Sequence, residues 1–138
     1  MTETIEKAIE TLLAAATTAP VRRWCEVEDI GASQVIVQAG DPKSFATAGN
    51  GVVYAWQIEV FVTIYTNMLD DEDKTVFDSI AEEIFDAMNA WNKDSITGVG
   101  FEIDGILPGD SQSSVDGDYH KNVLSKILIV REVPIETT

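Results

Sequence analysis

Asp116-Gly117-Asp118-Tyr119-His120 places two carboxylates and an imidazole within five residues, a grouping able to hold a metal ion or form an acid–base pair. Asp-Gly-Asp is equally ordinary turn chemistry, and a solvated loop accounts for the same residues. Asp70-Asp71-Glu72-Asp73 offers the hard oxygen ligands that Ca²⁺ and Mg²⁺ prefer. It lacks the alternating ligand spacing and central glycine of a helix–loop–helix calcium site. Capping and the helix dipole explain acids at such a position, at about 0.3–1 kcal/mol each. Cys25 is the only cysteine, so one chain can form neither an intrachain disulfide nor a cysteine-based zinc site. It stands in Trp24-Cys25-Glu26-Val27 with no activating neighbour, and the only histidine, His120, is far along the chain. A partly buried structural thiol is the expectation. Gly98-Val99-Gly100 lacks the third glycine of a dinucleotide fingerprint, and neither a phosphate-binding loop nor a serine nucleophile elbow is present. Trp24, Tyr54, Trp56, Phe61 and Tyr65 fall mostly on strands without the basic neighbours a base-stacking platform needs, and Trp56 reads as core. These residues predict no catalysis, no metal and no cofactor. An enzyme would have only Asp116, Asp118 and His120 to work with.

The 138 residues suit one domain, 1–138, with a single core. Nine Lys plus Arg against 24 Asp plus Glu leave a net charge of −15. Such a surface repels duplex DNA and anionic membranes, and any channel it lined would be anionic. The start, Thr2-Glu3-Thr4-Ile5-Glu6-Lys7, does not read as a signal peptide, and no apolar run approaches the ~18 residues of a membrane span. Synthesis in a cytoplasm is expected.

The elements that must position these residues are strands and two helices. Ile5, Ala8, Ile9, Leu12, Leu13 and Ala16 draw one helical stripe, closed off by Thr17-Thr18-Ala19-Pro20. Residues 22–29 and 33–39 predict two short strands around an Ile30-Gly31-Ala32 hairpin turn. Gly40 to Gly51 reads as a long loop, with Lys43 and Phe45 in it. From Val52 to Ile64 every even position is apolar, a period of two over a length beyond the usual five or six residues of a strand. A strand that long projects past its own core and can meet a partner there. The acidic run then opens a second helix, with Val76, Phe77, Ile80, Ala81, Ile84, Phe85, Met88 and Trp91 as its apolar face and its end near Trp91 or Asn92. A strand over 99–107, a polar loop from Pro108 to Tyr119 and a last strand over 120–133 follow; Pro134 to Thr138 read as a frayed tail. Apolar residues on both faces of the last strand predict a central position, or an edge covered by a partner. The fold class is α+β: a mostly antiparallel sheet of four or five strands with two helices packed on one face.

This order resembles the tail terminator proteins of long-tailed bacteriophages, a group that also takes in tail-completion and neck proteins. The echoes are Trp56-Gln57-Ile58-Glu59-Val60-Phe61-Val62, the acidic turn, the helix ending Phe85-Asp86-Ala87-Met88, Gly105-Ile106-Leu107, the acidic loop Asp110 to Asp118, and the strand Leu124 to Val130. The resemblance implies a non-enzymatic virion protein at the tail–neck junction. It would form a homo-oligomeric, hexameric ring that caps the tail tube protein and ends its polymerisation. The ring would join the head–tail connector or stopper protein, and the genome DNA would pass its lumen without specific binding. Weak repulsion from an acidic lumen lets DNA slide rather than stick. Candidate subunit or tube contacts are Lys43, Phe45, Asp110, Asp116, Asp118 and Tyr119. The competing expectation is a small acidic inhibitor or DNA mimic, which would need its carboxylates on one exposed face; here they are scattered over helices, turns and loops.

Overall fold

The alternating run folds as its period requires, into one 15-residue strand, Val53–Asn67. The computed structural model describes residues 2–27, 33–69, 74–98 and 100–132. Along them run α1 (Thr2–Ala16), β1 (Val21–Arg23), a 3-10 turn (Trp24–Glu26), β2 (Gln34–Ala39), β3 (Lys43–Thr47), β4 (Val53–Asn67), α2 (Thr75–Asn89), β5 (Phe101–Asp116) and β6 (Tyr119–Glu132). The fold is α+β, with a six-stranded, mostly antiparallel sheet in the order β1-β2-β4-β6-β5. β6 pairs along β4 from Ala55 to Asn67 and so occupies one whole edge of it. β2 and β3 share the other edge in tandem: β2 against Val60–Tyr65 and β3 against Val53–Gln57.

Both helices lie on one face, as expected. Ile5, Ile9 and Leu13 of α1 and Phe77, Ile80, Ile84 and Met88 of α2 are buried. They share one core with Val35 and Val37 of β2, the even residues Ile58 to Ile64 of β4, and Leu124, Leu128 and Val130 of β6. Residues at successive even positions of a strand share a face, which is why α2's stripe and β4's alternation close on each other. No helix among the described residues is long and apolar enough to cross a membrane.

Several boundaries depart from the sequence expectation. The strand expected over 22–29 is three residues long and runs parallel to β2, so the two do not form a hairpin. The chain leaves it through the 3-10 turn at Trp24, and the expected turn at Ile30–Ala32 lies outside the described residues, as do Asp70–Asp73 and the tail from 133. The loop expected over Gly40–Gly51 contains β3, and that expected over Pro108–Tyr119 is the far half of β5 plus a two-residue turn. In both cases a long neighbouring strand supplies the backbone pairing, and sheet context overrides weak local preference. β3 raises the strand count to six. α2 ends at Asn89, short of Trp91. Its N-cap is Lys74 in the left-handed conformation (φ 63°), and the carboxylates expected to cap the helix, Asp70–Asp73, lie outside the described residues.

One polar cluster ties α1 to the sheet. The Arg23 Nε and Nη2 donate to Glu6 Oε1 at 3.0 and 2.9 Å, and the backbone N–H of Ala39 donates to Glu6 Oε2 at 2.8 Å. The Arg23 N–H donates to Glu10 Oε2 at 3.1 Å. Both side chains of the ion pair are nearly buried, 11% and 12% exposed. The paired carboxylate pushes the Arg23 guanidinium further up from its ordinary value. Glu6 thus accepts a ladder N–H that β1, only three residues long, does not reach. Removing one partner of a buried pair leaves an uncompensated charge, so Glu6→Ala should cost about 3 kcal/mol. Calorimetry should record a melting temperature lower by about 10 °C. A change within about 2 °C would show that the cluster contributes little.

Candidate functional site

β3 and the start of β4 form a hairpin that extends past the helix-covered core. Lys43 and Phe45 lie on it, Lys43 paired with Gln57 and Phe45 at a bulge between Ser44 and Ala46. Lys43 is exposed. Phe45, Val52 and Tyr54 are 53%, 58% and 52% exposed. Trp56, expected in the core, is half-buried instead, although its cross-strand partner Val130 is fully buried. The hairpin tip is held by backbone hydrogen bonds from Ala48 N to Val52 O (2.8 Å) and from Gly51 N to Ala48 O (2.9 Å). Asn50 Oδ1 accepts from the Val52 N–H at 3.1 Å. Gly51 has φ +84°, a conformation glycine adopts without strain.

The remaining candidates occupy the opposite end of the sheet. Asp116 pairs with Tyr119 across the turn Gly117-Asp118, and Tyr119 pairs with Asn67. Gly117 has φ +61° at the first central position, as a tight hairpin turn with the strands' own twist demands. The Asp118 carbonyl accepts from the Met68 N–H at 2.8 Å, which ties the turn to the end of β4. Tyr119 meets Tyr65 edge-to-face at 6.4 Å, and Lys121 Nζ lies 5.6 Å from the Tyr65 ring centre. His120 turns to the helix side and contacts Phe77 at 5.5 Å. The buried Thr66 Oγ1 and Asn122 Oδ1 beside it make no hydrogen bond. Among the described residues no three His, Cys, Asp or Glu side chains gather in a cluster that could hold a metal ion.

Lys43 and Phe45 therefore stand apart from Asp116, Asp118 and Tyr119, separated by the stretch of β4 from Gln57 to Asn67, roughly 34 Å at strand rise. Asp110 lies between them, in a bulge of β5 between Pro108 and Ser111. Its N–H donates to Ser125 Oγ at 2.9 Å. Cys25, expected to be partly buried, is exposed: the 3-10 turn carries it away from the core.

Sequence reasoning missed two features. The first is an open cavity of about 600 Å³ where β5 begins, lined by Lys93, Asp94, Phe101, Glu102, Asp104 and Arg131 among others. Arg131 Nη2 reaches Glu102 at 2.6 Å and Asp104 at 3.7 Å, so one of the cavity's two cations is paired within the chain. Bonding to Glu102, then the field of Asp104, raises the Arg131 guanidinium above its ordinary value. The Glu102–Arg131 register that makes this pair is invisible without the fold. The second is the reverse face of the sheet, opposite the helices. There Phe61 pairs with Ser125, Ile127 with Glu59 and Leu107, and Val123 with Thr63 and Gln112. Phe61, Val123 and Ile127 are half-buried and Leu107 is 43% exposed. Apolar residues at both parities of β6 were the signal for it.

No family model matches the chain, and no curated protein matches it. A solved structure of a protein without a functional name matches with a TM-score of 0.58 and 17% identity, over 96% of this chain and 94% of that one. The likeness is one of fold.

The bulge explains a glycine. A Cβ at Gly109 would collide with the carbonyl and hydroxyl oxygens of Ser125, whereas one at Gly105 meets nothing. Gly109→Ala should destabilise by about 1–3 kcal/mol, read by chemical denaturation. Gly105→Ala should be neutral or stabilise by up to about 1 kcal/mol. Equal effects of the two would contradict the packing described for the bulge.

Proposed function

We propose that this chain is a non-enzymatic subunit of a long-tailed bacteriophage virion, a tail-terminator-like protein. In this reading copies of it close into a ring at the tail–neck junction, stop tube polymerisation and offer a joint to the head connector. The observation that carries the reading is the placement of exposed contact-grade side chains at both ends of one long sheet. Phe45, Val52 and Tyr54 crown one end, and the β5–β6 turn forms the other. A subunit that must touch neighbours around a ring and partners above and below it needs surfaces of this kind at separated places. The element order that resembles the terminator family supports the same reading. So does the charge of −15, which suits a lumen passed by DNA without adhesion.

The test is a tail-assembly reaction with purified tube protein. Adding this chain should give tubes of one length whose ends accept no further subunits, and leaving it out should give tubes of unregulated length. Tube lengths that do not respond to the chain at any ratio would rule the reading out.

A further inference from the structure

The β3–β4 hairpin is largely apolar, with Lys43 at its base as its one charge, on a chain that is otherwise strongly acidic. From Ser44 to Ile58 no residue carries a charge, although 24% of the chain is Asp, Glu, Lys or Arg. Three large side chains, Phe45, Val52 and Tyr54, are more than half exposed on it. Clustered apolar groups at one exposed hairpin mark a contact surface. The hydrogen-bonded tip means that little ordering entropy remains to be lost on contact.

Charge selects the occupant. A basic partner would be drawn to the acidic outer surface of α2, where Asp78, Glu82, Glu83 and Asp86 lie, and the hairpin offers it nothing. A second copy of this chain is repelled by those same surfaces and can approach only where charge is sparse. The reverse face of the sheet is such a place, with Phe61, Leu107, Val123 and Ile127 grouped on adjoining strands and Glu59 among them. Lys43, at the base of the hairpin, is the hairpin's one cation.

We infer that the β3–β4 hairpin of one copy seats on the reverse sheet face of the next. The inference rests on the reading of the chain as a self-assembling subunit and assigns the surface by which it assembles. Donor and acceptor are different patches of one molecule, so the contact repeats in one sense around an assembly, and each copy uses both patches.

The experiment uses the full chain and light scattering across a concentration series. Two variants separate the patches: Phe45→Ser with Tyr54→Ser on the hairpin, and Leu107→Asp on the face. All three residues are exposed, and melting curves should match wild type. Each variant alone should lose assembly, with the dissociation constant raised more than about tenfold. Mixed together, the two variants should form heterodimers and nothing larger, because one intact hairpin and one intact face remain between them. Variants that assemble like wild type would overturn the assigned surface and leave the assembly reading standing. So would variants that fail alone and do not complement in the mixture. A wild-type chain that stays monomeric at every concentration, with and without tail tube, would overturn both.

Discussion

β4 and β6 pair without a break from Ala55↔Arg131 to Asn67↔Tyr119, and every other part of the molecule takes its position from that ladder. A slip of one residue would turn the fully buried Ile58, Val60, Val62 and Ile64 out to the reverse face and bring Glu59 and Thr63 in. The apolar stripes of α1 and α2 would then have nothing to close on. The core therefore holds the register, and the register aims the chain at both ends. Beyond Gln57 β4 outruns the helices and leaves its start to β3, and at Asn67 it meets the β5–β6 turn.

The same ladder separates the two faces of the sheet by chemistry. The helix face is filled. The reverse face is apolar in its middle but only half-covered, and the charges toward its two ends, Arg131 with Glu102 and Lys121 over Tyr65, are engaged within the chain. A strongly acidic protein with one projecting hairpin that carries no acidic residue from Lys43 to Ile58 and one sparsely charged sheet face has two surfaces on which like-charged copies can meet with little repulsion. That is the physical basis for reading the molecule as a building unit.

What the sequence disclosed followed from periodicity. The even positions of β4 and the i, i+4 spacing of Ile5, Ile9 and Leu13 declare their elements because each has one buried face. The far half of β5 did not declare itself. Ser111 to Asp116 are exposed or polar on both sides, so no alternation marks them, and their pairing comes entirely from β6. β3 was hidden for the same reason, by glycines and small residues around it. β1 is too short for any period, and its parallel partnership depends on Glu6 and Arg23 meeting across 17 residues. Of the contact candidates, Phe45 was found as an anomaly, an aromatic residue in a polar loop. Trp56 reads as core because its parity matches the buried positions of β4, yet it is half-buried, and Val52 and Tyr54, of the same parity, are exposed.

The central claim is that this chain is built to assemble with itself. Negative-stain images of the purified full chain, taken with and without tail tube, test it most directly. The account predicts rings of uniform diameter with a central hole, free or seated on tube ends. Fields of dispersed monomers under both conditions would contradict it.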